Sequence, residues 1–279
     1  MEGRPANPRF GNSWARLDRA AAHLSAFTAE VNSLFADDSP ATVCRYDKDS
    51  GWFIASFVLA DGTIETIKRN TLALELGEYA YQLRAALDGL IWDAITMTLG
   101  AEPSADANRV EFPVTDIRNF KDCGFLKFPF PNELRTWLES LQRNAAEKPE
   151  GDPDRGVSTA LDDIHDLARF DRHRRLRIVA AVPTNLKFGV NTGDVLSRIV
   201  ARERIDDCDL LSGQYDLFRF QLEAFDGAPL GKLTLKTDVT FEILLEDIQP
   251  FEGMNTGAQL VMLVDVVGYI IARFEKEFS

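Results

Sequence analysis

Residues 168–177 read ARFDRHRRLR and carry five arginines, one aspartate and His173, one of three histidines in the chain. An imidazole takes up a proton near neutral pH, and guanidiniums grip a phosphate with two prongs. The pattern points to His173 as a general base beside guanidiniums that could bind a phosphate. RNA is the partner expected along residues 169–177, because a formal net charge of −13 repels phosphate from the rest of the surface. A structural reading stays open beside it. Cations at a helix C-terminus stabilise it by ~0.3–1 kcal/mol each, and a buried Asp–Arg–His network can fix helix register.

Other polar side chains fall at helical spacing. Tyr81, Arg84, Asp88 and Trp92 share one face, and Arg84 and Asp88 form an i, i+4 pair. Asp171 sits on the apolar side of its helix with Ile164 and Leu167, so its carboxylate needs a partner, for which Arg84 is the natural candidate. His165 and Asp166 share a face with Arg169 and His173, which makes His165 a second candidate base. Asp162, His165 and Asp166 offer metal-ligand types, but a solvated acidic face is the plainer reading and no metal is expected. The polar centre expected is built from His23, Glu78, Arg84, Asp88, Asp171 and His173. The chain has no P-loop, no GxGxxG after a strand, no HExxH and no GxSxG. No cofactor is expected.

These residues need elements to hold them. Trp14, Leu17, Ala21, Leu24, Thr28, Val31 and Phe35 repeat at three and four, which predicts a helix over 13–36 capped by Asn12 or Ser13. TVCRY and WFIASFVLA flank the turn signal DKDSG and predict a β-hairpin. A long helix is predicted over 70–98, with Leu72, Leu76, Tyr79, Leu83, Leu87, Leu90, Ala94 and Met97 on its apolar face. Residues 100–130 read as a loop with short elements, 131–144 as a short helix, and 158–173 as a helix capped by Ser158. Beyond Arg177 the period changes to that of strands in RIVAAV, NLKFGV, YDLFRFQLEAF and DVTFEILLEDI, with a hairpin turn at Asp226-Gly227. A last helix covers 257–276, with the seam Leu260, Leu263, Val267, Ile270 and Phe274.

The expected fold class is α+β, a helical bundle covered on one side by antiparallel β-strands. Residues 1–180 form the bundle with an inserted hairpin, 181–255 the antiparallel β region, and 256–279 a helix packing back on the bundle. Cys44, Cys123 and Cys208 make no CxxC pair and read as free thiols of a cytoplasmic protein. The apolar segment 260–274 is broken by Asp265 and reads as too short for a membrane span. The amino terminus has no apolar core of signal-peptide type.

Several of these segments, in this order, resemble a widespread group of uncharacterised bacterial and phage proteins. The resemblance rests on Gly77-Glu78, the LRxALDxL-like run Leu83-Arg84-Ala86-Leu87-Asp88-Leu90, Phe112-Pro113-Val114, Leu141-Gln142 and the DKHR-like Asp171-Arg172-His173-Arg174. It covers roughly residues 13–180. Arg169 stands where that group often has Asn. The union of helical bundle, Arg and His is also similar to the HEPN superfamily, many of whose members are metal-independent ribonucleases in toxin and phage-defence systems. Three functional expectations follow. One is a binding or regulatory module with a polar Asp/Arg/His cluster in phage–host conflict. Another is a HEPN-like ribonuclease that works through His173, Arg172 and Arg174. The last is an interaction protein that forms a homodimer through its bundle.

Overall fold

The computed structural model describes residues 8–36, 41–58, 71–103, 110–143, 148–173, 178–191, 197–204, 214–224, 234–245 and 256–279. The elements in chain order are α1 (Gly11–Ala36), β1 (Ala41–Asp47), β2 (Trp52–Val58), α2 (Thr71–Leu99), α3 (Asn132–Ser140), α4 (Val157–His173), β3 (Ile178–Asn191), β4 (Ser197–Arg204), β5 (Gln214–Ala224), β6 (Thr234–Leu245) and α5 (Thr256–Glu277). Helices and antiparallel strands are segregated, so the fold class is α+β. They fall into two compact units. The helical unit comprises Met1–Phe27, Ala73–Leu176 and Ala258–Ser279, and the strand unit comprises Thr28–Leu72 and Arg177–Gly257.

The core of the helical unit follows the apolar periodicity of its helices. On α2, Leu76, Tyr79, Leu83, Leu87, Leu90 and Ala94 are all fully buried. Met97, expected on the same face, is exposed near the helix end. Gly100 stops the helix. Its φ of +70° favours a residue without Cβ, and its N–H reaches the Thr96 carbonyl at 2.9 Å. On α5 all five seam residues, Leu260, Leu263, Val267, Ile270 and Phe274, are buried. This helix is 22 residues long and is, among the described residues, the one long and apolar enough by length and composition to cross a membrane. The sequence expectation that the segment was too short is corrected here. What the apolar side of α5 meets is the helical core: the Phe274 ring lies 5.8 Å from Phe10 and 6.5 Å from Trp137.

Helix α1 departs from its expected seam and cap. Trp14, Leu17 and Leu24 are buried, but farther along the buried residue is Phe27 while Thr28 is exposed. The first segment of the helical unit ends at Phe27, so the seam has left that core by Thr28. The start also differs, since neither Asn12 nor Ser13 caps it. The Glu275 carboxylate of α5 accepts from the N–H of Arg9 (3.2 Å), the N–H of Phe10 (3.1 Å) and Trp14 Nε1 (3.3 Å). A side chain from another helix thus serves donors that a local cap would otherwise serve. Helix α4 likewise begins one residue before the expected Ser158 cap, with the Gly156 carbonyl accepting from Ala160 N–H at 3.0 Å.

In the strand unit, one sheet runs β1-β2-β5-β4 and a second pairs β3 with β6, all antiparallel. The hairpin β1–β2 turns at Gly51, whose φ is +73° and whose N–H bonds to the Asp47 carbonyl at 2.9 Å. It was expected as an insert in the bundle. Its β2 edge pairs instead with β5, from Phe53↔Phe220 to Val58↔Gln214, and it belongs to the sheet. The segments RIVAAV and NLKFGV are one strand, β3, with a register shift at Pro183/Asn185, where proline lacks the N–H a ladder needs. Asp226-Gly227 lies outside the described residues. The strands on either side of it, β5 and β6, pair with other partners and not with each other.

Candidate functional site

Arg84 and Asp88 stand one turn apart on α2, and the structure gives them a shared task. Arg84 Nη2 lies 2.9 Å from Asp88 Oδ1, and Arg84 Nε donates to Asp88 Oδ2 at 3.2 Å. Arg84 Nη2 also donates to the Phe112 carbonyl at 2.9 Å, while Asp88 Oδ1 accepts the Phe112 N–H at 2.9 Å. The pair therefore holds both backbone groups of Phe112, whose ring is fully buried. The Gln142 side chain holds the next residues from α3's end. Its Oε1 accepts from Thr115 N–H at 2.9 Å, and its Nε2 donates to the carbonyls of Pro113 (3.3 Å) and Leu138 (2.7 Å). Arg143 adds backbone bonds to Thr115 and Ile117. The segment 112–117 is thus clamped from two sides. The expected helix 131–144 ends at Ser140 because residues beyond it turn to make this clamp.

A pocket of about 330 Å³ opens on the same face of α2, toward the small end of the ~300–1,000 Å³ typical of small-molecule sites. Tyr81, Arg84, Ala85, Asp88, Gly89 and Trp92 of α2 line it with Asn12 and Arg16 of α1, Val110, and Ala168 of α4. Tyr81 is half exposed and Trp92 partly so. Arg84 is 6% exposed, and among the described residues its Nη1 has no hydrogen-bond partner. A buried donor left unmatched costs ~1–3 kcal/mol. Neither carboxylate oxygen of Asp88 is idle, so the Arg84–Asp88 pair leaves one guanidinium nitrogen over.

His165 of α4 lies in the same electrostatic neighbourhood. Burial lowers its pKa below the ordinary histidine range, and the positive charge of Arg84 pushes the same way against Asp166. The ring is therefore neutral at pH 7, and its Nδ1 is buried without a partner. Asp163 is pushed up to about 6 by burial, against a hydrogen bond from Gln259 that favours the charged form. Asp162 is taken by Arg143, and Asp166 lies 3.3 Å from Arg169. Among the described residues no group of three His, Cys, Asp or Glu side chains is arranged to hold a metal ion.

The expected polar centre is not one cluster. Arg84 and Asp88 stand together, with His165 close by. His23 bonds through Nδ1 to Glu75 at 2.8 Å, and Glu75 is nine residues before Arg84, ~13 Å along the helix axis. Glu78 is exposed. Arg169 is more than half exposed beside Asp166. The side chains of Asp171, Arg172 and His173, and all of Arg174, lie outside the described residues, and so do the expected Asp171–Arg84 pair and the basic stretch beyond it. Arg16, Asn12 and Glu75 were missed. The i, i+4 spacing of Asn12 and Arg16 was the signal for the first two, and Glu75 carried none that set it apart from any exposed acid. Compared with known proteins, the chain matches no family model, no curated protein and no solved structure.

Proposed function

We propose that this chain is a binding module whose ligand site is the pocket on the Tyr81–Arg84–Asp88–Trp92 face of α2. The observation that carries this reading is the unmatched Nη1 of a buried arginine, on a residue that lines a cavity together with aromatic side chains. Polar groups converging beside aromatic side chains in a concave site are a common mark of a small-molecule site. The clamp on Phe112 supports it further, since a site is effective when its side chains are locked before the ligand arrives. A cytoplasmic location fits the free thiols Cys44 and Cys123.

A metal-independent ribonuclease is the second reading. What favours it is His165, whose pKa burial and the charge of Arg84 lower, the direction that leaves an imidazole free to act as a general base. In that case RNA approaches through the arginines of 169–177, and His173, Arg172 and Arg174 take part in the chemistry.

One experiment addresses both. The indole resonance of Trp92, assigned with Trp92→Phe, is followed while ring-containing fragments, charged and neutral, are added. Several fragments shift it in the wild type and none do so in Ala85→Leu, which fills the pocket and keeps the helical circular-dichroism signal. A wild-type resonance that no fragment moves overturns the binding reading. The same samples are incubated with single-stranded RNA. Cleavage that survives in Ala85→Leu and is lost in His165→Ala or His173→Ala favours the ribonuclease.

A further inference from the structure

The chemistry of the pocket lining selects among ligand classes. Its charged groups are Arg16, Arg84 and Asp88. Asp88 is spent, because its two oxygens already accept from Arg84 and from the Phe112 N–H. Arg84 Nη2 also lies 3.5 Å from the exposed Glu111 carboxylate, while its buried Nη1 has no acceptor among the described residues. Arg16 reaches one neutral acceptor, Gln82 Oε1, at a long 3.5 Å. Among the charged groups of the lining the two guanidiniums therefore outnumber the one carboxylate, although the chain as a whole is strongly acidic. A carboxylate or phosphate supplies acceptors, and guanidinium forks match the geometry of both. The other prominent lining groups are the faces of Tyr81 and Trp92, which are partly open to solvent. Flat rings lie well on such faces.

We infer that the pocket takes a small anion carried on a flat ring. A carboxylate or phosphate would meet Arg16 and Arg84, and an aromatic or heteroaromatic ring would lie against Trp92. This rests on the reading of the pocket as a ligand site and narrows it to a class. Aromatic carboxylates and phosphorylated nucleosides share this chemistry.

The test uses the full chain and two matched pairs of probes. Benzoate is set against benzamide, and adenosine 5′-monophosphate against adenosine, with inorganic phosphate as the ringless anion. Affinity is read by calorimetry and by the Trp92 resonance. At least one anionic ring compound binds tenfold or more tightly than its neutral partner and than inorganic phosphate, and the pair in which this occurs tells carboxylate from phosphate. That binding weakens as sodium chloride is raised. Arg16→Gln lowers affinity for the anion about tenfold and leaves the neutral partner unchanged. Arg16→Lys, which keeps the charge and loses the fork, falls between. Trp92→Ala removes the advantage of the ring compound over inorganic phosphate. Each variant is first shown to keep the thermal unfolding midpoint of the wild type.

The inference is overturned if neutral probes bind as tightly as their anionic partners, or if Arg16→Gln changes nothing. In both cases the pocket still binds a ligand, so the broader reading survives. If no probe of either charge shifts Trp92, both fail together.

Discussion

Arg84 shows how one side chain can serve the fold and leave something over. Its Nε and Nη2 are committed to Asp88 and the Phe112 carbonyl, and its buried Nη1 is left without a partner among the described residues. The i, i+4 pairing with Asp88 was legible from spacing alone. The docking of Phe112 was not, because it depends on a backbone segment 24 residues away that no periodicity marks. His23 was legible as a polar residue off the apolar seam, but its partner proved to be Glu75 rather than Glu78. Asp163 has a consequence that can be measured. Burial raises its pKa to about 6, above the ~3.9 of an unfolded aspartate. Between these two values the folded chain keeps a proton that the unfolded chain has lost. Its contribution is therefore present at acid pH and is lost as pH rises through about 6. Asp163→Asn should match the wild type near pH 4 and exceed it at pH 7, by ~1–2 kcal/mol after allowing for the partial exposure of this site. Urea midpoints measured across that range check the sign. A variant less stable than wild type at pH 7 counts against this account.

Helix ends and the segments between helices tell most about how the elements meet. The end of α3 gives up its last turns so that Gln142 can bond to Thr115, Pro113 and Leu138. Gln142 is buried, so removing its amide takes the partner from the Thr115 N–H and the Pro113 carbonyl, while the Leu138 carbonyl keeps the Leu141 N–H. Gln142→Ala should cost ~1–3 kcal/mol, read as a lower urea midpoint. Gln142→Glu should cost at least as much, since it places a buried carboxylate oxygen against the Pro113 and Leu138 carbonyls where the amide donated. The long helices were legible because an apolar stripe at helical period is enforced by burial along their whole length, and α2 and α5 follow it nearly residue for residue. Strand β4 was not legible. SRIVARER mixes charge with apolar residues and has a register shift at Ile199/Ala201, so no clean alternation survives. Strand partners were harder still. A hairpin turn signal speaks for its own two strands and says nothing of β2 lying beside β5.

At the scale of the molecule, the chain visits its helical unit three times and its strand unit twice. Helix α5 is the last visit, and it completes a core begun by α1. Phe10 packs edge-on against Phe274 and Phe278, and Tyr79 donates its hydroxyl to the Leu260 carbonyl. A chain cut after Gly257 loses Leu260, Leu263, Val267, Ile270 and Phe274 from that core, each worth ~1.5–3 kcal/mol of burial. That sum, roughly 7.5–15 kcal/mol, is as large as the whole ~5–15 kcal/mol stability of a typical domain. The truncated chain should therefore show collapsed helical circular dichroism and early elution or aggregation on gel filtration. A soluble, helical product would reject this view of α5. The bond between Phe10 N–H and Glu275 spans 265 positions. A ribosome adding ~5–20 residues per second needs roughly 13–50 s to cross that gap. For all of that time Phe10, Trp14 and Leu17 have been made and the helix that covers them has not, so the newborn chain carries an open greasy flank that a chaperone would meet before α5 does.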